Sequence, residues 1–161
     1  MSRTFMRRIA MLGMLGFATA APAEARVIFV DAHASSGGND GSSWANAFQG
    51  RLAVQSALAV AGAGDELWIA DGEYAPAAPG GSRLISMNVP AGVALYGGFD
   101  GTEQLREERD FAQNAAILTG DLDPTVPTNL HSVHVVVLAQ PTSGTRLDGL
   151  DIAAALPWEI R

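Results

Sequence analysis

The stretch Asp65-Glu-Leu-Trp-Ile-Ala-Asp-Gly-Glu-Tyr74, followed later by Val93-Ala-Leu-Tyr-Gly-Gly98, decides which fold the chain predicts. Both parts are short apolar runs that end in glycine-containing turns, and neither has the period of an amphipathic helix. Leu67 and Ile69 alternate with their neighbours, so they face the same side of a strand. The segments that follow, as far as Ile152, repeat this plan. The sequence therefore predicts the beginning of a solenoid of stacked strands.

Other apolar runs add strands on both sides of this stretch. The first is Val27-Ile-Phe-Val30, and the later ones are residues 83–89, 116–118, 133–138 and 146–152. The spacing between successive strand centres is uneven; these centres are Ile69, Leu95, Leu118, Val136 and Leu150. Periodicity alone is therefore weak support for a repeat, although it suits a solenoid whose turns differ in length.

One segment has a helical period instead. Val54, Ala57, Leu58 and Ala61 occupy one face of a helix, and Gly62-Ala-Gly64 supplies a stop at its C-terminus. The first rung of a solenoid has an open strand edge and an exposed apolar cross-section. We expect this short amphipathic helix to lie across the first rung and to bury both.

Composition and charge exclude several functions. The 161 residues include no cysteine, which excludes disulfides and thiol chemistry, and 18 glycines, which suit short strands and frequent turns. All ten basic residues are arginine, and the formal net charge is −7. Because an acidic surface repels phosphates and anionic membranes, nucleic acid is not an expected partner. The length is sufficient for one domain with a buried core.

The N-terminus has the pattern of a secretory signal peptide. Residues 1–8 carry three arginines, residues 9–21 are apolar, and two small-x-small cleavage sites follow, Ala21-Pro-Ala23 and Ala23-Glu-Ala25. The apolar run is shorter than the about 20 residues that a membrane anchor needs. We therefore predict a signal peptide over residues 1–25 and a mature chain without a transmembrane helix. The predicted location is extracellular, at the cell surface (outer membrane) or in the periplasm.

Two polar segments have both a functional and a structural interpretation. The glycine-rich loop at residues 33–44 has the composition of a cation loop, but its carboxylate spacing fits no calcium template, which favours a solvated connector. Residues 100–114 contain either a carboxylate pair of a saccharide site or, as the pattern favours, a surface excursion held by Glu–Arg pairs. The charged residues of this segment are Asp100, Glu103, Arg106, Glu107, Glu108, Arg109 and Asp110.

Two residue pairs have spacings that could hold a metal. Asp121 and Asp123 alternate beside a strand and could share a calcium ion, but capping the turn at Asp123-Pro124 is the favoured role. His131 and His134 could bind a metal, but their spacing of three residues would place the two rings on opposite faces of a strand. A structural or surface role is therefore favoured for both histidines.

Aromatic and acidic residues near the strand ends are the remaining candidates. Trp44, Trp68 and Tyr96 could stack on sugars, but packing under the predicted helix is the favoured role. Asp148 and Asp151 flank Gly149, so we expect them to face outward at a corner. The sequence has no phosphate-binding glycine loop, nucleophile elbow or zinc motif.

Taken in order, these segments resemble the N-terminal region of bacterial right-handed parallel β-helix proteins of the pectin-lyase-like superfamily. Within that superfamily they are most similar to secreted or surface proteins with polymorphic-outer-membrane-type repeats. The resemblance covers nearly all of residues 27–152. It rests on residues 64–74 and 93–103, which contain the two stretches quoted first, and on Ile28-Phe-Val-Asp-Ala32, Gly41-Ser-Ser-Trp-Ala-Asn-Ala-Phe48, Val54-Gln-Ser-Ala-Leu58, Arg109-Asp-Phe111, Ile117-Leu-Thr-Gly-Asp121, His131-Ser-Val-His-Val-Val136 and Leu147-Asp-Gly-Leu-Asp-Ile152.

The resemblance implies an all-β fold, a right-handed parallel β-helix of which only the N-terminal part is present. Residues 26–152 would form the N-terminal cap and first coils, with one short amphipathic capping helix. Residues 153–161 depart from the family, in which further glycine- and asparagine-rich coils follow, so we expect a divergent, truncated C-terminus and an incomplete chain. An uncapped last coil would expose strand edge and apolar core, which predicts self-association.

Two functions are compatible with this reading. The first is an exported, non-catalytic β-helix cap of a secreted or surface adhesin-like protein, whose partner would be a polysaccharide or another cell-surface ligand. The alternative is a fragment of a polysaccharide lyase or glycoside hydrolase that acts on acidic polysaccharide with groups on further coils. The sequence favours the first, since no catalytic constellation is present. We assign no catalytic, cofactor-binding or metal-binding residue and expect no cofactor, with calcium at Asp121 and Asp123 as the one open possibility.

Overall fold

The computed structural model describes residues 24–125 and 130–153. The predicted signal peptide lies almost wholly outside these residues, and so does most of the predicted divergent C-terminus. The described part is rich in β-strands, with one α-helix, α1 (Ala53–Leu58), and short 3-10 segments at Trp44–Asn46 and Arg106–Glu108. Its strands are β1 (Val27–Asp31), β2 (Phe48–Gln49), β3 (Glu66–Ala70), β4 (Gly72–Tyr74), β5 (Met87–Val89), β6 (Ala94–Phe99), β7 (Ala116–Thr119), β8 (Val136–Leu138), β9 (Arg146–Asp148) and β10 (Leu150–Ala153).

These strands form three sheets in which every ladder is parallel. Sheet 1 has the order β2-β1-β3-β6-β9, sheet 2 the order β10-β7-β4, and sheet 3 pairs β5 with β8. From β3 onward the chain visits sheets 1, 2 and 3 in turn, returns to sheet 1 at β6, and repeats the order. We call each pass through the sheets a rung: β3 to β5, β6 to β8, and β9 with β10. The strands of the second and third rungs each pair with their counterpart in the rung before, and β3 pairs with β1.

This order explains the uneven spacing of the apolar runs. Leu95 lies in sheet 1, Leu118 in sheet 2 and Val136 in sheet 3, so the distances between them in sequence separate different sheets and not successive rungs. Within sheet 1, equivalent residues are aligned: Leu67 is opposite both Ile28 and Leu95 in the ladders. The repeat is therefore defined by strand pairing and not by a constant length.

The inward side chains of successive strands form the main core. Ile28, Leu67, Leu95 and Leu147 are aligned by the register of sheet 1, and the first three are buried. Tyr74 and Leu118 are paired and fully buried in sheet 2. Because burial of each such side chain contributes roughly 1.5–3 kcal/mol, the vertical rows of apolar residues are the principal source of stability.

The helix behaves as its sequence predicts, with one correction. Its buried residues are Ala53, Val54, Ala57 and Leu58, which pack into the same core as β1 and β3. The open edge of β1 is covered by other groups: β2 pairs with its end, and the Gly41 carbonyl accepts the Phe29 N–H at 3.0 Å. The expectation that the helix covers this strand edge is therefore wrong, since the helix covers the apolar interior.

Asp65 ties the start of the first two rungs together. Its carboxylate accepts hydrogen bonds from the backbone N–H of Arg26 at 3.1 Å and of Gly62 at 2.9 Å, and from the Arg26 side chain at 3.3 Å. Burial by itself would raise the pKa of Asp65, but these hydrogen bonds and the Arg26 charge outweigh it and leave the pKa below its usual value. The ionised carboxylate thus fixes the turn between α1 and β3 against the start of β1.

Three predicted strands have different bounds in the structure. Only Met87–Val89 of residues 83–89 forms a strand, and Leu84, which the prediction placed in it, is 81% exposed. Residues 133–138 shorten to Val136–Leu138. Residues 146–152 form two strands in different sheets because Gly149 turns the chain between them with a φ of +67°.

Replacement of Leu95 by alanine should test the inward register. Leu95→Ala removes a fully buried side chain between Leu67 and Leu147, so we expect the free energy of unfolding to fall by about 2–5 kcal/mol in urea denaturation followed by circular dichroism. Leu84→Ala is the matched control, and because that side chain is exposed the change should stay within about 0.5 kcal/mol. Equal losses in the two variants would contradict the register.

Candidate ligand-binding surface

The outward face of sheet 1 carries a cluster of aromatic side chains. The register aligns Phe29, Trp68 and Tyr96 in one row across β1, β3 and β6. Trp44 and Phe99 complete the cluster; the ring centroids of Phe29 and Trp44, and those of Trp68 and Phe99, are each 4.8 Å apart. Ring pairs at these distances stabilise one another beyond the area that they bury.

This location corrects the sequence prediction for Trp44, Trp68 and Tyr96. The core beneath α1 contains the inward residues of β1 and β3, whereas the three aromatic residues belong to a separate cluster with Phe29 and Phe99. They therefore do not pack under the helix. The alternation within β3 gives the reason: Trp68 lies between two inward residues, so its side chain must point to the other face.

One loop and one longer connection border the aromatic cluster. The loop at residues 33–44 brings Trp44 onto the sheet, and the indole N–H of Trp44 donates to the Glu103 carbonyl at 2.9 Å. Residues 100–115 connect β6 to β7 and hold Glu103 in place. In the first loop, Gly41 has a φ of +74° and approaches the Ile28 and Phe48 side chains so closely that a Cβ would collide with them. The end of the loop is thus packed against the sheet at Gly41 and Trp44, whereas residues 35–40 are exposed.

Glu103 organises the start of the connection between β6 and β7. Its carboxylate accepts the backbone N–H groups of Asp100 at 2.7 Å, Gly101 at 3.1 Å and Thr102 at 3.1 Å, and the residue is 9% exposed. Glu108 is used in the same way, and the N–H groups of Leu105 and Gln104 lower its pKa. Both carboxylates are therefore hydrogen-bond acceptors for turns, which opposes their use as a catalytic pair.

The sequence predicted that the arginines of this connection pair with acidic residues of the same segment. In the structure their shortest ion pairs are with residues outside it. The Arg106 guanidinium lies 2.8 Å from the Glu66 carboxylate of β3, closer than the 3.7 Å that separates it from Glu107. The Arg109 guanidinium lies 3.0 Å from the Asp148 carboxylate of β9. The principal partners are thus on sheet 1, far away in sequence. These ion pairs attach the connection to the outward face of the sheet.

A cleft of about 400 Å³ opens beside the aromatic cluster. Its apolar wall consists of Val27, Phe29, Trp44 and Trp68. Polar groups at the cleft come from Ser42, Ser43, Glu103 and Gln104. Aromatic rings beside hydroxyl and amide groups fit the apolar face and the hydroxyl groups of a sugar, and the volume is in the range of small-ligand sites.

A second, smaller cleft of about 180 Å³ lies around Tyr96 on the same face. The guanidinium carbons of Arg106, Arg109 and Arg146 lie 4.7, 5.0 and 5.9 Å from the Tyr96 ring centroid. Burial would raise the pKa of Asp148, but the hydrogen bond from Arg146 and the charge of Arg109 outweigh it and lower the pKa. The cleft therefore combines three arginines with two carboxyl groups, those of Glu107 and Asp148.

The other predicted site residues lie away from these clefts. Asp121 and Asp123 accept hydrogen bonds from turn residues: Asp121 from the N–H of Asp123, and Asp123 from the N–H and hydroxyl of Thr125. His131 forms an isolated antiparallel bridge with Asp121, and neither His131 nor His134 lies in a strand. The prediction that the two rings lie on opposite faces of a strand assumed a strand at these residues, and that assumption is wrong. Asp151 is exposed on β10.

Among residues 24–125 and 130–153, no three or more His, Cys, Asp or Glu side chains form a group that could hold a metal ion. Calcium binding at Asp121 and Asp123 stays a prediction. In the same residues no helix is long and apolar enough to cross a bilayer.

Comparison with known proteins adds no relative. No protein-family model, curated protein or solved structure matches the chain. The function must therefore be inferred from the residues themselves.

Replacement of Glu103 should loosen the border of the aromatic cleft. Glu103→Gln removes the charge that three backbone N–H groups share, so we expect a loss of about 1–3 kcal/mol in stability and a red shift of tryptophan fluorescence as Trp44 becomes hydrated. Glu107→Gln is the control, because that side chain is 75% exposed. If both variants matched the wild type, Glu103 would not hold the connection.

Proposed function

We propose that this chain is the exported, non-catalytic N-terminal part of a right-handed parallel β-helix in a secreted or surface adhesin-like protein. The observation that carries the proposal is the repeated order of strands, in which each rung visits sheets 1, 2 and 3 and pairs in parallel with the rung before. In solenoids each repeat contacts only its neighbours and buries its apolar face against them. The aligned rows of Ile28, Leu67 and Leu95 support this architecture.

The proposed partner is a polysaccharide or another carbohydrate at a cell surface. The cleft beside Phe29, Trp44 and Trp68 offers an aromatic wall with hydroxyl and amide groups around it. A net charge of −7 favours such a partner over nucleic acid. Export to the cell surface or periplasm follows from the predicted leader at residues 1–25.

A binding role is supported over a catalytic one by the state of the carboxylates. Glycoside hydrolysis needs two carboxyl groups that are free to exchange protons or attack the sugar. Glu103 and Glu108 are instead engaged with backbone N–H groups, and Asp148 with two arginines. The alternative function, a fragment of a lyase or hydrolase for acidic polysaccharide, has one feature in its favour, since the arginines around Tyr96 would attract a uronate carboxylate.

Export is tested by the N-terminus of the mature protein. We expect expression of the full-length sequence in a bacterial host to give a periplasmic or secreted product that begins at Arg26, identified by intact mass and Edman sequencing. Ala23→Leu combined with Ala25→Leu should block processing because the cleavage site requires small residues. A cytoplasmic product that retains Met1 would contradict the proposal.

Ligand binding is tested by affinity electrophoresis in gels that contain a neutral glucan or polygalacturonate. We expect at least one of them to retard the wild type and Trp44→Ala to migrate freely, because the variant loses the ring at the wall of the cleft. Phe111→Ala is the control, since Phe111 is 62% exposed and lies outside this cleft. Circular dichroism of each variant checks the fold.

The same polysaccharides separate binding from catalysis. With polygalacturonate, with or without calcium, we expect neither the absorbance of unsaturated products nor new reducing ends. Either product would support the alternative function, whereas equal retardation of Trp44→Ala and wild type would contradict the assigned cleft.

A further inference from the structure

The last described rung is open on one side. In sheet 2, Ile152 is paired with the fully buried Leu118, but is itself 52% exposed. In sheet 3, Leu138 is paired with the fully buried Val89, but is 41% exposed. These side chains of β8 and β10 therefore cover the strand before them in sheets 3 and 2, and no described strand covers them in turn.

The strand edges at this end are also open. In the part of the chain that the structure describes, β8, β9 and β10 are each the outermost strand of their sheet. The opposite end of the stack is covered, since β2 pairs with β1 and α1 packs against β1, β2 and β5. An exposed edge beside apolar side chains is a template for pairing with another chain.

The backbone of β9 has the correct orientation to pair with its own copy. The Arg146 N–H donates to the Val93 carbonyl just before β6, so the backbone groups of Arg146 point toward β6 within sheet 1. Backbone groups of successive residues in a strand point to opposite neighbours, so the N–H and C=O of Leu147 face the open edge. In an antiparallel pair, two residues of this orientation exchange both hydrogen bonds.

The charges on β9 are complementary to themselves under the same symmetry. Arg146 and Asp148 lie on either side of Leu147 and share the outward face of sheet 1. A two-fold axis at Leu147 places Arg146 of one copy opposite Asp148 of the other, and does so twice. Opposite charges in directly opposed positions stabilise a strand pair, whereas like charges destabilise it.

We propose that two copies of this chain form a closed dimer through the open end, with the β9 strands antiparallel about Leu147. The interface is isologous, so the open ends of both copies are used in one contact and the assembly closes at two chains. Under the proposed function a following coil would stack on this same open end, so a second copy and a following coil are alternative occupants of it. The dimer is proposed for the chain of 161 residues and does not depend on the carbohydrate ligand. It adds a definite geometry to the self-association that the sequence predicts.

Charge reversal tests the symmetry. Sedimentation velocity on the full chain should show a dimer for the wild type. Arg146→Glu places two carboxylates opposite each other at both charge pairs, and Asp148→Arg places two guanidinium groups there. We therefore expect the dissociation constant of the dimer to rise about tenfold or more for each variant alone. An equimolar mixture of the two variants restores opposite charges at both positions. We expect the dissociation constant of this mixed dimer to be within about threefold of the wild-type value.

A single cysteine provides the second measurement, because the natural chain has none. Leu147→Cys should give a disulfide-linked dimer on oxidation, since the Cα atoms of a hydrogen-bonded antiparallel pair are about 5.5 Å apart, within disulfide range. Ser35→Cys, on the exposed loop at the other end, is the control and should stay monomeric on a non-reducing gel. The Leu147→Cys variant still tests the dimer if Asp148→Arg unfolds because it loses the ion pair with Arg109.

Three results would overturn the proposal. They are a monomeric wild type, an open-ended series of oligomers, and a mixture of the two charge variants that is no more dimeric than its components. Equal crosslinking of Leu147→Cys and Ser35→Cys would also contradict it, because a random encounter has no preference for the two-fold position.

Discussion

The stacking of each inward side chain on its counterpart in the next strand is the constraint on which the rest of this structure depends. A rung of three short strands has no buried interior of its own, so its apolar side chains become stable only between neighbours. The row of Ile28, Leu67 and Leu95 fixes the register of sheet 1. Because side chains alternate along a strand, the same register fixes the outward row of Phe29 and Trp68. The aromatic surface is thus a geometric consequence of the core.

The outward face is held by interactions of a different kind. Its aromatic rings contact one another at 4.8–5.7 Å, and the arginines around Tyr96 reach carboxylates on separate strands. Arg106 and Arg109 thereby connect a long surface segment to β3 and β9. In a chain of net charge −7, three of the ten arginines are thereby gathered around Tyr96.

The sequence predicts the parts of the fold that local patterns control. Alternation identifies β1, β3, β6 and β7, and the spacing of Val54, Ala57 and Leu58 identifies the buried face of α1. Strands β2 and β4 have only two and three residues, too few for a pattern, and depend on partners far away in sequence.

The candidate site is less predictable because distant residues form it. Trp44 joins Phe29 through a loop, and Arg109 meets Asp148 across a ladder, so neither contact has a local signal. Trp68 is the exception. Its position between Leu67 and Ile69 already requires it to face away from the core, and this alternation was available in the sequence.

The connections between sheets 1 and 2 differ greatly in length. Asp71 alone joins β3 to β4, and Gly149 alone joins β9 to β10, whereas residues 100–115 join β6 to β7. Despite the longer connection, β6 and β7 pair in parallel with β3 and β4, as the strands on either side of the short connections do. The longer connection also supplies Glu103, Arg106 and Arg109 to the outer surface. A change in the length or sequence of this one segment therefore alters the outer surface, while the paired strands and the inward rows of apolar side chains stay the same.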